Sequence, residues 1–398
     1  MQAEEVQKKV MESHMRWQKL DRHVRRPGAY ERWMYAEGIP VYETIAGVSD
    51  PRQLPRGDWP RTGGRGTFIQ MMGLYQSQRG MVVVEIPGGK TLNPERHLYE
   101  AFILVMQGRG ATEIWQEGGQ KVTFEWGEGS AFVLPLNAWH RLINGTSEPA
   151  LLLAITTAPE VMNALHYPEF VFNCDHRFAE EFSGETHHFT RAEAHRVGRN
   201  RLEWETNFIP DARTYATDRN DPLKNDMRQT KVWGGQGASF AMGRYWPNGH
   251  ISQWPVGVYH AAHRHEAGPV IIALSGKGYS LLWPVDAGEC PYENGNVERI
   301  VRVDWGPYFI YTPPDDWYHQ HFNTGKQPAR VLATHGGNDR TAFIDFGAFK
   351  EAATLVRQDE GGLLIGYDRE DRALRRMFEE ELAKEGITCV MPAAESKN

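Results

Sequence analysis

Short apolar runs separated by glycine-containing turns fill two stretches of the chain. Each run is 5–9 residues long and rich in Val, Ile, Phe and Trp, a composition typical of β-strands. Because no helical pattern separates neighbouring runs, we expect antiparallel strands that close into a small β-barrel or jelly roll. The runs are MVVVEI (81–86), EAFILVMQG (100–108), ATEIW (111–115), KVTFEW (121–126) and SAFVLP (130–135), then VIIALSG (270–276), YSLLWP (279–284), RIVRVDW (299–305) and YFIYTP (308–313).

Helical periodicity occurs near both ends of the sequence, in residues 1–26 and 368–386. The region between the two strand-rich stretches shows little alternation and is interrupted by four prolines. The pattern therefore predicts a mainly β protein with two barrels and helical extensions at its N- and C-termini. The expected segments are a helical arm (1–60), a first barrel (61–155), a connector (156–240), a second barrel (241–350) and a C-terminal helical tail (351–398).

The two strand-rich stretches are related by a duplication. Six positions recur 168 residues later, and after an insertion of 11 residues four more recur 179 residues later. Nine of these ten pairs are identical in residue type, and chance would not hold one register over about 60 residues. The pairs are Gly89/Gly257, Glu95/His263, His97/His265, Gly108/Gly276, Gly110/Gly278, Trp115/Trp283, Trp126/Trp305, Pro135/Pro314, His140/His319 and Asn144/Asn323.

Composition narrows the class of protein. The length of 398 residues suffices for two domains with extensions. A net charge of −7 argues against a nucleic-acid partner, and no apolar run approaches the roughly 20 residues that span a bilayer. The charged first residues do not resemble a signal peptide, and three widely spaced cysteines exclude a disulfide framework or a CxxC site. We expect a cytoplasmic globular protein without nucleic-acid or membrane partners.

The second copy carries a histidine cluster suited to a metal ion. Side chains at i and i+2 of a strand share a face, so His263 and His265 are expected to point into the barrel while Arg264 points out. His319, from another strand of the same barrel, would complete a facial set of three imidazoles. Such a set suits Fe, Zn, Cu or Ni and leaves open positions for other ligands. The alternative is that these are ordinary polar residues in turns.

The spacing of these residues resembles the two motifs of the cupin superfamily. Gly257 is followed after five residues by HRH and then by Gly276, and the second motif is PDDWYHQHFN, with Pro314, His319 and Asn323. The resemblance covers residues 89–144 and 257–323 and implies a bicupin, that is, two tandem jelly-roll barrels. Asn137 and Asp316 stand where the family usually has Gly.

The second copy lacks the Glu that cupins usually place three or four residues after the HxH pair as a fourth ligand. That slot falls on Pro269, and Glu266 has the wrong strand parity. A three-His site resembles gentisate 1,2-dioxygenase-like non-haem iron cupins rather than the manganese site of oxalate decarboxylases. Three neutral ligands leave the full 2+ charge on the metal, which favours an anionic, bidentate substrate.

The first copy has Glu95 in the slot of His263 and Ala101 in the slot of the carboxylate. Two interpretations are open for this barrel. Glu95, His97 and His140 form a two-His-one-carboxylate metal site, or the barrel has lost its metal and Glu95 pairs with a nearby Arg. Gentisate-type bicupins generally have their active metal site in the N-terminal barrel, so an active site in the C-terminal barrel departs from their pattern.

Four further residues are candidates for substrate contact around the second site. His321 shares strand parity with His319 and is the candidate catalytic base or hydrogen-bond donor, with a purely structural role as the alternative. Trp317 and Tyr259 have the same expected inward parity and would stack on an aromatic substrate, unless they belong to the core. Arg244 would pair with a substrate carboxylate or lie solvated at the end of its strand.

Together these observations predict a non-haem dioxygenase that oxidises or cleaves an aromatic hydroxy acid or similar chelating compound. The expected cofactor is a divalent metal, Fe(II) first, with Mn, Zn and Ni as alternatives. The expected partners are a small-molecule substrate and O₂, and we expect a homo-oligomer. Two other functions stay open: a metal-dependent lyase or isomerase with His321 as base, and a non-catalytic bicupin that binds a small ligand or a metal.

Overall fold

The structure is a computed structural model. It describes residues 27–45, 47–197, 201–214, 228–229, 236–243, 248–265, 269–335 and 357–391. The helix predicted in residues 1–26, the candidate residue Arg244, and Glu266 lie outside these ranges. Within them, no helix combines the length and the apolar character needed to cross a bilayer.

Strands dominate both halves of the chain. Those of the first half are β1 (Val41–Thr44), β2 (Gly47–Val48), β3 (Gly57–Trp59), β4 (Gly64–Met71), β5 (Gly80–Ile86), β6 (Ala101–Gln107), β7 (Arg109–Trp115), β8 (Val122–Gly127), β9 (Ala131–Leu134), β10 (Trp139–Ile143) and β11 (Ala150–Thr156). Those of the second half are β12 (Ala192–Val197), β13 (Arg201–Thr206), β14 (Phe208–Ile209), β15 (Arg228–Gln229), β16 (Gln236–Ala241), β17 (Asn248–Trp254), β18 (Val270–Ser275), β19 (Gly278–Pro284), β20 (Val301–Trp305), β21 (Ile310–Tyr311), β22 (Trp317–Asn323) and β23 (Ala329–His335).

Helices are fewer and lie outside the strand-rich stretches or at their edges. The α-helices are α1 (Ala29–Ala36), α2 (Met72–Gln76), α3 (Ala158–Leu165), α4 (Pro168–Asn173) and α5 (Arg372–Glu385). Short 3₁₀ helices occupy Pro51–Gln53, Val285–Ala287, Val297–Arg299 and Gln358–Glu360.

Each half of the chain forms a barrel from a large and a small sheet. In the first barrel the large sheet has the order β1-β4-β5-β11-β6-β9-β14, with β3 beside β4, and the small sheet is β10-β7-β8. In the second barrel the large sheet is β12-β13-β16-β17-β23-β18-β21-β2, with β15 beside β16, and the small sheet is β20-β19-β22. The prediction of a mainly β fold with two tandem jelly-roll barrels is confirmed.

The element boundaries differ in places from the predicted segments. The described part of the predicted helical arm contains α1 but also strands β1, β2 and β3. The predicted connector supplies α3 and α4, and then β12 and β13, which extend the large sheet of the second barrel. β12 lies at the edge of this sheet and most of its described side chains are exposed, so an alternation of buried and exposed positions is weak there.

The repeated residues have the same structural tasks in both barrels. Asn144 donates to the carbonyls of residues 86 and 148, and Asn323 donates to the equivalent carbonyls of residues 254 and 327. A Cβ on Gly110 would lie 2.5 Å from the ring of Trp126, and one on Gly278 would lie 2.5 Å from the ring of Trp305. Glycine is therefore required opposite each tryptophan, which explains why both residue types recur in register.

One apolar cluster spans the two barrels, and each barrel also has a cluster of its own. Residues from β4, β5 and β6 of the first barrel and from β17, β18 and β23 of the second belong to a single buried cluster. The sheets also exchange short strands: Val48 of β2 pairs with Ile310 of the second barrel, and Phe208 of β14 pairs with Phe132 of the first. The exchange fixes the orientation of one barrel relative to the other.

Helix α5 covers the second barrel, as the C-terminal periodicity predicts. Asp371 caps its first turn by accepting a hydrogen bond from the Ala373 amide at 2.9 Å, and Gly386 ends it in the left-handed conformation with φ 70°. Its apolar stripe, which includes Phe378, is fully buried against Tyr259 and Phe322.

Glu370, just before α5, is buried in this contact. The Tyr259 hydroxyl donates to one of its oxygens, and the Gln320 amide donates to the other at 3.3 Å. Burial raises the pKa of Glu370 to about 7, although both hydrogen bonds act in the opposite direction. The folded state therefore favours the protonated carboxyl.

We expect the stability of the protein to fall as pH rises from about 4.5 to 7, and Glu370→Gln to abolish this part of the dependence. A carboxyl whose pKa is raised by folding stabilises the folded state fully below its unfolded pKa, and loses that contribution as pH passes its folded pKa. The loss amounts to a few kcal/mol as an order of magnitude, about 1.4 kcal/mol for each pH unit. Denaturant unfolding of both proteins at several pH values measures it. A constant difference between the two proteins across this range would contradict the assignment.

Candidate metal centre

The three candidate ligands of the second barrel come from two neighbouring backbone segments. The His263 amide donates to the His319 carbonyl at 3.2 Å, and the His319 amide donates back at 2.9 Å. His319 lies on β22, whereas His263 and His265 lie in an extended segment that makes isolated bridges and is not a regular strand. The pairing brings His263 and His319 directly opposite each other, with His265 two residues further on.

The imidazoles converge as the spacing predicts. Their ligand atoms lie within 4.8 Å of one another, and no other group of three His, Cys, Asp or Glu side chains in the described ranges meets this spacing. The ring centroids of His263 and His319 are 4.1 Å apart, and those of His265 and His319 are 4.6 Å apart. His263 and His319 are buried, and His265 is partly exposed.

Backbone carbonyls orient two of the rings. Nδ1 of His263 lies 3.1 Å from the carbonyl oxygen of Ala261, and Nδ1 of His319 lies 3.1 Å from that of Trp317. A proton on each Nδ1 makes both contacts hydrogen bonds and leaves the lone pair on Nε2. This is the tautomer in which histidine commonly binds a metal while its other nitrogen is held by a carbonyl.

A C-terminal segment holds the HxH residues from the other side. The Arg264 amide donates to the Leu363 carbonyl at 3.2 Å, and the Ile365 amide donates to the Ala262 carbonyl at 2.8 Å. The Arg264 side chain pairs with Asp316, which is half-exposed, so it points away from the imidazoles as expected. Asp316 has a φ of 57°, in the left-handed region that Asp tolerates better than most residues, which explains why it replaces Gly there.

His321 lies beside the three imidazoles and both of its ring nitrogens have partners. Nδ1 is 2.9 Å from the Ser280 hydroxyl, and Nε2 is 2.5 Å from the Tyr311 hydroxyl. Burial raises the pKa of Tyr311 well above its ordinary value, so the phenol keeps its proton and hydrogen-bonds to Nε2 as a neutral group. The ring of Trp254 stacks on His321 at 5.3 Å with an interplanar angle of 4°. The inward direction expected for His321 is thus observed.

His260 is a further inward residue that the sequence analysis does not identify. It is buried, and its ring lies 4.8 Å from that of His263 and 5.2 Å from that of His321. Strand parity does not predict its inward direction because side chains of this irregular segment do not alternate regularly between two faces. The signal available in the sequence is its position three residues before the HxH pair.

One part of the chain matches a known family. Residues 82–156, which form most of the first barrel, match the family model described as a cupin domain. The first barrel is therefore similar to a cupin domain. Since the second barrel repeats its strand order and its repeated residues, the protein has a bicupin fold.

Solved structures similar to the chain include those of oxalate decarboxylase from Bacillus subtilis. A deletion mutant of that enzyme is 11% identical, with a TM-score of 0.44, and the match covers 74% of this chain and 78% of that one. A structure of the enzyme from work on its Mn(II) centres is 13% identical, with a TM-score of 0.44, covering 77% and 85%. Resemblance this distant does not specify a reaction. No curated protein matches the chain.

Tyr259 corrects one expectation about the second cupin barrel. Its strand parity predicts that it faces the metal site, but its ring packs against Phe322 at 5.2 Å and Phe378 at 5.1 Å, on the side of α5. The reason is the irregular segment that also places His260 inward. Trp317 is only partly buried at the edge of the same apolar cluster, so neither ring forms a wall opposite the imidazoles. Trp254 and Tyr311 are the aromatic rings that contact the neighbouring His321.

In the first cupin barrel, Glu95 is paired with an arginine. Arg61 forms ion pairs with Glu95 and, at 2.7 Å, with Glu37. Burial alone would raise the pKa of Glu95, but Arg61, aided by His140, outweighs it and holds the pKa well below its usual range. Burial, reinforced by His140, lowers the pKa of His97 to about 3, so this imidazole is neutral at ordinary pH. Of the two interpretations of this barrel, pairing with an Arg is the observed arrangement.

Proposed function

We propose that the second cupin barrel binds a divalent metal ion through His263, His265 and His319, and that the protein is a non-haem Fe(II) dioxygenase. The observation that carries the proposal is the convergence of three imidazoles in one buried cluster. Nδ1 of two of them faces a backbone carbonyl, which leaves Nε2 to the metal. Among the described residues no carboxylate joins this set, which supports Fe(II), with Mn, Zn and Ni as alternatives.

The substrate class follows from charge and from the walls of the site. Three neutral ligands leave the charge of the metal uncompensated, so an anion that chelates through two oxygens is favoured. Trp254 and Tyr311 supply aromatic surface behind His321, which suits a flat ring. We therefore propose an aromatic hydroxy acid or catechol-like compound as substrate and O₂ as co-substrate.

The residues around the metal would orient the substrate and manage its proton. Fe(II), when bound, supplies the one-electron chemistry that lets a chelating substrate react with O₂. The His321 imidazole, fixed by Ser280, shares the Tyr311 hydroxyl proton at Nε2. A proton released by a substrate hydroxyl can be taken up at Nε2 once the phenol turns away. Stacking on Trp254 keeps the imidazole in this orientation.

We expect the Fe(II) protein, titrated without oxygen, to bind at least one hydroxybenzoate, hydroxynaphthoate, catechol or β-diketone with a new charge-transfer absorption band. The methyl ether of the same compound should bind more weakly because it cannot offer two anionic oxygens. Oxygen uptake on admitting air then tests turnover. Binding only of sugars or of neutral, non-chelating compounds would contradict the substrate class.

A metal-dependent lyase or isomerase is a second candidate, favoured by the buried hydrogen bond between Tyr311 and His321. Such a pair can carry a proton to and from a substrate bound to a Lewis-acidic metal. Turnover that continues without O₂ would support this second function and overturn the dioxygenase.

A further inference from the structure

The backbone around Glu95 in the first barrel copies the backbone of the metal centre in the second. The Glu95 amide donates to the His140 carbonyl at 3.0 Å, and the His140 amide donates back at 2.9 Å. The same reciprocal pair joins His263 and His319. Nδ1 of His140 also faces the carbonyl two residues earlier at 3.2 Å, as Nδ1 of His319 does at 3.1 Å. The slots for metal ligands are thus preserved in the first barrel.

Three potential ligands occupy these slots. Nε2 of His140 lies 3.7 Å from a carboxylate oxygen of Glu95. The ring of His97 is 5.1 Å from that of His140, and its Nδ1 is held by the Tyr99 carbonyl oxygen at 2.7 Å. Two imidazoles and one carboxylate are a donor set that binds Fe(II) and other divalent ions. With Arg61 in place, their ligand atoms do not meet the close spacing of the cluster in the second barrel.

Arg61 lies against this set and is held there by aromatic rings. Its guanidinium carbon is 5.5 Å from the ring centroid of Trp33, 5.0 Å from that of Trp59 and 4.7 Å from that of Phe172. One of its nitrogens pairs with Glu95, and another donates to Glu37 at 2.7 Å. Glu37 in turn accepts a hydrogen bond from the Trp59 indole. The guanidinium is thus fixed by charge and by packing on several sides.

We propose that Arg61 acts as an internal cation in the place that a metal takes in the second barrel, and that it masks a latent metal site formed by Glu95, His97 and His140. A fixed positive charge next to Glu95 repels a second cation. It pairs with one carboxylate oxygen of Glu95, while the other oxygen faces His140. Without Arg61, the carboxylates of Glu37 and Glu95 are left as two uncompensated charges, which a divalent ion matches. The inference concerns the first barrel and stands apart from the proposed function of the second.

The test is to replace Arg61 by methionine, which keeps an apolar side chain against the aromatic rings, and to count bound Co(II) per chain. After incubation with Co(II) and gel filtration, Arg61→Met should carry one ion more than the unaltered protein. The additional ion should contribute its own visible absorption bands. Arg61→Met/Glu95→Gln is the matched control, and we expect it to lose this additional ion because the carboxylate ligand is gone.

The number of Co(II) ions that Arg61→Met adds is measured again in a His319→Ala background, in which the second barrel has lost a proposed metal ligand. If the second barrel binds no metal, the protein with Arg61 carries no Co(II) in either background, and Arg61→Met still adds one ion. In Arg61→Met the Glu37 carboxylate loses its ion pair, which can destabilise the fold. Glu37→Gln/Arg61→Met removes that charge, and we expect it to bind the same one additional Co(II) ion. A folded variant with no increment, or a first barrel that binds Co(II) with Arg61 in place, would overturn the proposal.

Discussion

Replacing His319 by alanine is expected to remove most of the metal from the protein while leaving the fold intact. His319 is fully buried and faces both other imidazoles, so its loss breaks the facial set at its centre. Its backbone is paired to residue 263 and to β19, and alanine can make the same backbone hydrogen bonds. Because changing residues that merely support a metal ligand costs about 10–100-fold in affinity, loss of a ligand should cost at least as much.

Metal content by mass spectrometry, with circular dichroism to verify folding, measures this effect. His263→Ala should behave in the same way because it removes the residue directly opposite. His187→Ala is the matched control, since His187 is exposed in a turn outside both histidine clusters, and it should retain full occupancy. Full occupancy in both His263→Ala and His319→Ala would refute the assignment of the centre.

The second large effect is expected on turnover, and it should distinguish the catalytic role of one barrel from that of the other. With any substrate that supports oxygen uptake, we expect His319→Ala to lower kcat by about 1000-fold or more, because chemistry that depends on a metal ion is lost with the ion. His140→Ala should stay within about threefold of the unaltered protein, since its neighbour Glu95 is already neutralised by Arg61.

The metal content of His140→Ala serves as the control, because it should equal that of the unaltered protein. If His140→Ala abolished turnover and His319→Ala left it intact, the roles of the two barrels would have to be exchanged. Equal losses in both variants, with metal retained in His140→Ala, would instead indicate that the two barrels contribute to one activity.

The sequence predicts the second histidine cluster well because a repeat and a fixed spacing define it. His263, His265 and His319 meet where the duplication places them, and Asp316 takes the left-handed turn expected of a position usually held by Gly. Such predictions depend only on local geometry and on strand pairing, both of which residue types specify.

The sequence does not predict which neighbours surround the cluster. Strand parity predicts the wrong direction for Tyr259 and does not identify His260, because their segment makes single bridges instead of a ladder. Arg61 lies 34 residues before Glu95, and no motif connects them, so their pairing depends on the packing of α1 and α4 around the barrel. Contacts set by tertiary packing rather than by spacing are the ones that the sequence alone leaves open.

The strand exchange between the barrels has a consequence for how the chain is made. Val48 leaves the ribosome more than 250 residues before Ile310, the residue it pairs with, so the large sheet of the second barrel acquires its last strand from the oldest part of the chain. The first barrel likewise receives β14, which lies in the connector, only after all its other strands have been synthesised. Pairings this distant in sequence are slow to form and join the two halves in one cooperative transition. We therefore expect neither half, expressed alone, to reach the stability that it has in the intact protein.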